Sequence, residues 1–239
     1  MSRLEYLPLD LSHFSLLALI FFVLVIWIEV QAFRLVYLHL GLGPHVALLL
    51  LLASLIGSYL NIPVGRLTGE QLVSGEAVSF FGMRYVIPVV VNWPGTVIAV
   101  NVGGAVIPGL LSLYLLVRNR LWVRGILAIA IITAVCHALA HPIPGLGIAL
   151  PVFVPPLSAA AVALILSRRQ AGPLAYIGGS LGALIGADLL NLQNIRGLGA
   201  PVASIGGAGT FDGIFLTGVL AVLIASIFGP SSRARSGSR

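Results

Sequence analysis

A chain of 239 residues that is 59% hydrophobic, 8% charged and of mean hydropathy +1.08 is not a soluble globular domain, because apolar runs long enough to span lipid recur along it. Its formal net charge of +6 is carried by arginine alone, with no lysine. The arginines cluster between the apolar runs, which points to orientation in a lipid bilayer and away from nucleic acid as a partner. The single cysteine, Cys136, excludes an internal disulfide.

The first apolar run, residues 14–28, follows Arg3, Glu5 and Asp10 and lacks both a basic head and a small-x-small cleavage site. It reads as an anchor and not as a signal peptide. Glu29 and Arg34 carry the helix on toward Leu40 as interfacial residues. A second span, about 45–60, stops at Asn61-Ile62-Pro63, where proline ends a helix. Residues 64–95 hold no convincing span. They are punctuated by Gly65, Gly69, Gly75 and Gly82 and wetted by Glu70 and Glu76. Within them, 78–91 is rich in β-branched and aromatic residues and predicts a short hairpin or extended segment at the outer membrane surface, with Pro88 favouring an edge strand.

A third span, about 96–117, opens with AVNVGGAVIPG, so Asn101, Gly103, Gly104 and Pro108 predict that its first half kinks or unwinds. The fourth, about 121–141, leads into an uncharged proline-glycine segment. Such a connection is allowed at membrane depth only where protein or a watery cavity shields its backbone, so it reads as buried or re-entrant. The fifth, about 156–167, stops at Arg168-Arg169. The sixth and seventh, beginning near 173 and 210, each carry one carboxylate, Asp188 and Asp212. Residues 230–239 form a small basic tail expected to be disordered. The expected fold is therefore an all-α polytopic helix bundle of about seven spans in a single transmembrane domain, 1–229, with broken or re-entrant Gly/Pro segments and a short extracytoplasmic hairpin.

Arginines flank alternate connections: Arg118, Arg120 and Arg124, then Arg168 and Arg169, then Arg233, Arg235 and Arg239. The positive-inside rule puts these in the cytoplasm and the amino terminus outside, in a cell-membrane protein. An acid inside a span is expensive and marks a functional site by default. Asp188 falls about 22 Å along its span at 1.5 Å per residue, and Asp212 in the first turn of the next, so both lie toward the outer face. Gly186, Gly209 and Gly213 beside them permit close helix crossing. Three copies of an aliphatic-Gly-Gly-small element, at 102–105, 177–180 and 205–208, echo one another. Gly178, Gly182 and Gly186 form a ridge expected to pack one neighbour while Asp188 faces elsewhere.

The motifs FFGMRYVIP, NVGGAVIP, HPIPGLGI, GADLLNL and IGGAGTFDGIFLTG together resemble an uncharacterised prokaryotic multi-pass membrane family, a domain of unknown function, over 61–228. A shorter resemblance is to the presenilin-like and signal-peptide-peptidase-like intramembrane aspartyl proteases. Gly186-Ala187-Asp188 keeps one of that family's two glycines, and Phe211-Asp212 matches its aromatic-Asp pair. The order is reversed and the downstream Pro-Ala-Leu element is missing. This resemblance implies two catalytic aspartates, Asp188 and Asp212, that share one proton and hydrolyse peptide bonds of a membrane-spanning protein substrate. Asn101, Gly103, Gly104, Gly186, Asn191, Gly209 and Gly213 would support the site or the substrate, with Asn101 and Asn191 as interhelical hydrogen-bonders.

Two alternatives use the same region. Unwound spans with acids suit a proton- or cation-coupled transporter. His137 and His141, four apart on a predicted helix, suit two ligands of a zinc site completed by aspartate, although no glutamate base follows as in HExxH. Only that last reading calls for a cofactor.

Overall fold

The computed structural model describes residues 11–67, 77–80, 83–86, 95–143, 147–195, 202–207 and 213–228. Among them are seven α-helices: α1 (Leu11–His39), α2 (Pro44–Gly57), α3 (Ile107–Arg118), α4 (Trp122–Leu139), α5 (Val154–Leu166), α6 (Ala171–Ala183) and α7 (Gly213–Phe228). Proline sits in the first turn of α2, α3 and α5, where its missing N–H costs nothing. The segments Ala18–His39 and Trp122–Leu139 are long and apolar enough to cross a bilayer. Phe21, Phe22 and Trp27 on α1 and Val123 on α4 are exposed, an apolar surface that water would disfavour and lipid would cover.

The chain is mostly helical, but the expected all-α bundle with one short hairpin is corrected by further strands. β1 (Asn61–Leu67), β4 (Thr96–Asn101) and β7 (Val202–Ile205) form one sheet in the order β1-β4-β7. β1 runs antiparallel to β4, with an irregularity between Pro63 and Gly65, while β4 and β7 are parallel, with Val97 opposite Val202 and Val100 opposite Ile205. The first six residues of the expected third span are thus strand, because the β-branched run TVIAVN finds partners on both sides. β2 (Ala77–Phe80) and β3 (Met83–Val86) form the expected hairpin, and Pro88 lies outside the described residues. The proline-glycine connection holds a second small hairpin, β5 (His141–Ile143) with β6 (Gly147–Ala149).

The bundle is built around α6. Eleven of its thirteen residues are buried, including Leu174, Tyr176 and Ile177, and a helix apolar on every side belongs in a core. The glycine ridge faces α4: a Cβ at Gly178 would meet Ala128, one at Gly182 Ile132, and one at Gly186 Thr133 and Cys136. This order makes α4 and α6 parallel. On another side Gly179 lies against Thr217 and Ala221, Gly172 against Val222, and Gly218 against Tyr176 and Ser180, so α6 and α7 are antiparallel neighbours. Gly172, Gly179 and Gly218 thus make the α6–α7 contact among the described residues, while Gly209 and the surroundings of Gly213, where a close crossing was expected, lie outside them.

Not every glycine is a contact. Gly109 in α3 has nothing within 4 Å of the position a Cβ would take. Gly109→Ala is therefore expected to stabilise the chain by about 0.5–1 kcal/mol through lower unfolded-state entropy. Thermal unfolding in detergent checks this, and a lower midpoint would contradict it.

Candidate functional site

Two strands, β4 and β7, each lead into a glycine pair. β4 passes at Asn101 into a π-helical turn, Val102–Val106, and then into α3. Asn101 is fully buried, and its side chain satisfies the junction. Its Oδ1 accepts from Gly104 N (2.8 Å), and its Nδ2 donates to Ser58 O (2.7 Å) and Asn61 Oδ1 (3.1 Å). Asn61 Oδ1 also accepts from Ser204 Oγ at 2.6 Å, which ties β1 to β7. Asn101 was expected to bond between helices; it sits at the end of β4, caps the turn that follows, and ties it to the residue after α2 and to β1.

β7 ends in Gly206 and Gly207, at φ +95° and +90°, a region closed to most side chains. Gly206 is pressed against Ala105, where a Cβ would lie 2.7 Å from that residue's Cβ and N. Two of the three glycine-pair elements therefore touch, and the third, 177–180, packs mid-helix in α6. The turn at Gly206 aims its N–H at Asp188, whose Oδ2 accepts it at 2.7 Å.

Asp188 itself sits in a break. α6 continues into a second π-helical turn, Leu184–Leu189, closed by Leu190 N to Ile185 O at 2.9 Å. Such turns recur at functional sites because they displace one residue from the regular ladder. The carbonyls of Gly186 and Ala187 are taken up by Asn191 Nδ2 at 2.9 and 3.1 Å, so Asn191 stabilises the turn that presents Asp188. Gly186 packs on α4 while the next-but-one residue faces β7, the division of faces expected from helical geometry.

The carboxylate lines a partly open cavity of about 220 Å³. One wall is apolar, from residues 148–155. The other holds Ala183, Ala187 and Asp188, and Gly207, Ile214 and Thr217 complete it. Asp212 and Gly209 lie outside the described residues, and Gly213 opens α7. In sequence Asp212 is two residues before Ile214, a cavity-lining residue.

The two histidines are arranged differently from the helical expectation. α4 ends at Leu139, and Ala140 is extended (ψ 128°), so His141 begins β5 and does not stack one turn above His137. Pro142 explains this, since the residue before a proline is steered out of the helical region. His141 Nδ1 lies 2.7 Å from Leu139 O, and His137 Nδ1 lies 3.2 Å from Asn191 Nδ2. Among the described residues no group of three or more His, Cys, Asp or Glu could hold a metal ion.

Sequence reasoning missed Ser58, Asn61, Ser204 and Gly206. The run VASI followed by two glycines was a readable strand-and-turn signal, whereas Ser58 takes part through its backbone carbonyl and left no trace.

No curated protein and no solved structure matches the chain. The protease-like matches at Gly186-Ala187-Asp188 and Phe211-Asp212 therefore find no counterpart there. A family described as "Protein of unknown function (DUF1614)" matches residues 55–224, a stretch that takes in the three-stranded sheet, the glycine pairs that follow β4 and β7, Asp188 and Asp212. By that match, covering well over half its length, the chain belongs to the DUF1614 family.

Proposed function

We propose that the chain is a multi-pass membrane protein in which Asp188 and Asp212 form an intramembrane aspartyl-protease-like site acting on membrane-embedded protein substrates. The observation that carries this is the position of Asp188: its carboxylate lines the cavity that β7 meets at Gly207 and α7 meets at Ile214. Among the described residues β7 ends its sheet, so its outer edge offers backbone groups to an extended substrate and leads directly to Gly206 and Asp188. Asp212, two residues ahead of Ile214, supplies the second carboxylate.

In the reaction the two acids share one proton. The ionised carboxylate takes a proton from water, whose oxygen attacks the peptide carbonyl carbon, while the protonated one gives its proton to the carbonyl oxygen. Collapse of the tetrahedral intermediate breaks the C–N bond: the departing amine takes the proton lifted from water, and one hydroxyl of the intermediate gives its proton to the carboxylate that had donated, leaving a carboxylic acid and restoring the shared proton.

A second reading is favoured by the helix breaks at 102–106 and 184–189, which resemble the discontinuous segments of ion-coupled transporters. The two readings separate in one preparation. The reconstituted chain is assayed for cleavage of a single-span reporter protein and for proton or cation flux across the vesicle. Cleavage without flux supports the protease, flux without cleavage the transporter, and neither with native lipid present sinks both.

The arrangement about seven spans deep, with the carboxyl terminus in the cytoplasm, rests on arginine alternation. The parallel course of α4 and α6 and the antiparallel course of α6 and α7 support it. Arg118 also reaches Gly41 O at 3.1 Å, drawing the end of α1 to the end of α3. Cysteines introduced at 233–239 in a Cys136→Ala background should resist an impermeant thiol reagent in intact cells and react after permeabilisation. Labelling in intact cells would reverse the orientation.

A further inference from the structure

The cavity beside Asp188 is shaped by three segments, each with its own side-chain period. Ile148 and Leu150, two apart where β6 ends, put same-face side chains on one wall. Ala183 and Ala187, four apart, turn one face of α6 and of the π-helical turn after it toward the same space. Ile214 and Thr217, three apart, do so from α7. The α6 side offers only methyl groups, and that is what leaves the space open. Among the described lining residues Asp188 alone is ionisable.

Size and chemistry limit what this space holds. An apolar cavity of about 150 Å³ takes a benzene ring, so one of about 220 Å³ takes a benzyl or branched aliphatic group with little to spare. It falls short of the roughly 300–1,000 Å³ of pockets that enclose whole drug-sized ligands. Its approach is set by β7. That strand ends at Ile205, the next residue's N–H rests on the Asp188 carboxylate, and Gly207 after it lines the cavity. An extended segment laid on the β7 edge carries same-side residues about 6.5–7 Å apart. One side chain at a time therefore enters this volume as the segment passes the carboxylate.

We propose that the cavity is a specificity pocket for one large apolar side chain, the size of leucine, methionine or phenylalanine, on the residue beside the cleaved bond of a membrane-embedded substrate. Ile148, Leu150 and Ile214 cover that side chain, and seating it holds the neighbouring peptide carbonyl against Asp188. Alanine in its place leaves the apolar wall uncovered. An acidic side chain loses its water beside a carboxylate, and a basic one ties up the acid that must exchange a proton. The inference rests on Asp188 being the working carboxylate of the reading above.

The test uses the full chain in lipid nanodiscs and single-span reporter proteins that differ only at the residues flanking the cleaved bond. Leucine, methionine or phenylalanine at one flanking position should raise kcat/KM about 10–100-fold over alanine. Lysine or aspartate there should be cleaved no better than alanine. Ile148→Ala, on the hairpin wall and outside the buried helix core, should widen the pocket and move the preference toward tryptophan. Ala183→Leu should fill it and bring the alanine reporter level with or above phenylalanine. A preference unchanged in Ile148→Ala overturns the pocket even where Ala183→Leu fails to fold. Asp188→Asn keeps the two claims apart, since that inactive chain should still bind the leucine and phenylalanine reporters more tightly than the alanine one. Binding that ignores the residue, as a lipid acyl chain filling the cavity would cause, overturns the pocket whatever the wild-type chain cleaves. A graded binding preference without cleavage supports the pocket and counts against the protease reading.

Discussion

Asp188→Asn is expected to remove activity by about 10²–10⁴-fold, in whichever assay the wild-type chain scores, while the fold survives. The amide is nearly isosteric with the carboxylate, and its Oδ1 accepts the Gly206 N–H as Asp188 Oδ2 does. The junction between the π-helical turn and β7 is therefore kept, and what is lost is the capacity to hold and release a proton or bind a cation. Asp188→Ala differs in that it strands a buried N–H at Gly206, which adds a stability cost of about 1–3 kcal/mol. The pair of variants separates chemistry from structure: both inactive with only Ala destabilised marks a working carboxylate. Asp212→Asn should cost as much as Asp188→Asn, and the double variant no more than either, because groups that act as a unit are non-additive. Full activity of Asp188→Asn would end the paired-aspartate reading for cleavage and transport alike.

How much of this was legible depended on how far apart the interacting residues lie in the chain. Helix starts at Pro44 and at Pro155-Pro156 announced themselves, because proline's fixed φ suits a first turn. The break at NVGGAVIP was visible from composition, and so was the separation between the Gly178-Gly182-Gly186 ridge and Asp188, since both follow from local backbone rules. The pairing of β4 with β7 was not visible. It joins residues roughly a hundred apart, and nothing in TVIAVN or VASI names the other. Asp188 was found as an acid in an apolar run, yet its partner Gly206 was read only as one copy of a repeated element. His141 is the opposite case. The proline after it was in plain view, and the fourth span was still run to His141, which put it on one helix face with His137.

Gly103→Ala is expected to be the most damaging single-methyl substitution in the described bundle. Gly103 lies in the π-helical turn after Asn101, against the end of α2. A Cβ there would collide with the carbonyl oxygen of Ser54 and the amide nitrogen of Ser58. The approach is reciprocal, since a Cβ at Gly57 would lie 3.0 Å from Gly103 N. Both obstacles are backbone, so no side-chain rotation relieves them, and α2 must move off the turn as a body. Moving it withdraws Ser58 O from Asn101 Nδ2 and strains the bond from Val102 N to Leu60 O, which undoes the cap on which the strand-to-helix junction depends. The cost is steric, because Gly103 is not among the glycines at positive φ. Overpacking of this kind reaches about 3 kcal/mol or more, a large share of a typical folding free energy of about 5–15 kcal/mol. The substitution should lower the unfolding midpoint sharply and reduce the yield of folded chain, while Gly109→Ala, six residues further on and open to its surroundings, should do neither. Since Asp188 is held by Gly206, and Gly206 is packed on Ala105, the displacement should reach the cavity, and any Gly103→Ala chain that folds should show reduced Asp188-dependent activity. An unchanged midpoint for Gly103→Ala would mean that α2 does not meet the junction at backbone distance, and the described packing of sheet, glycine pairs and carboxylate would have to be redrawn.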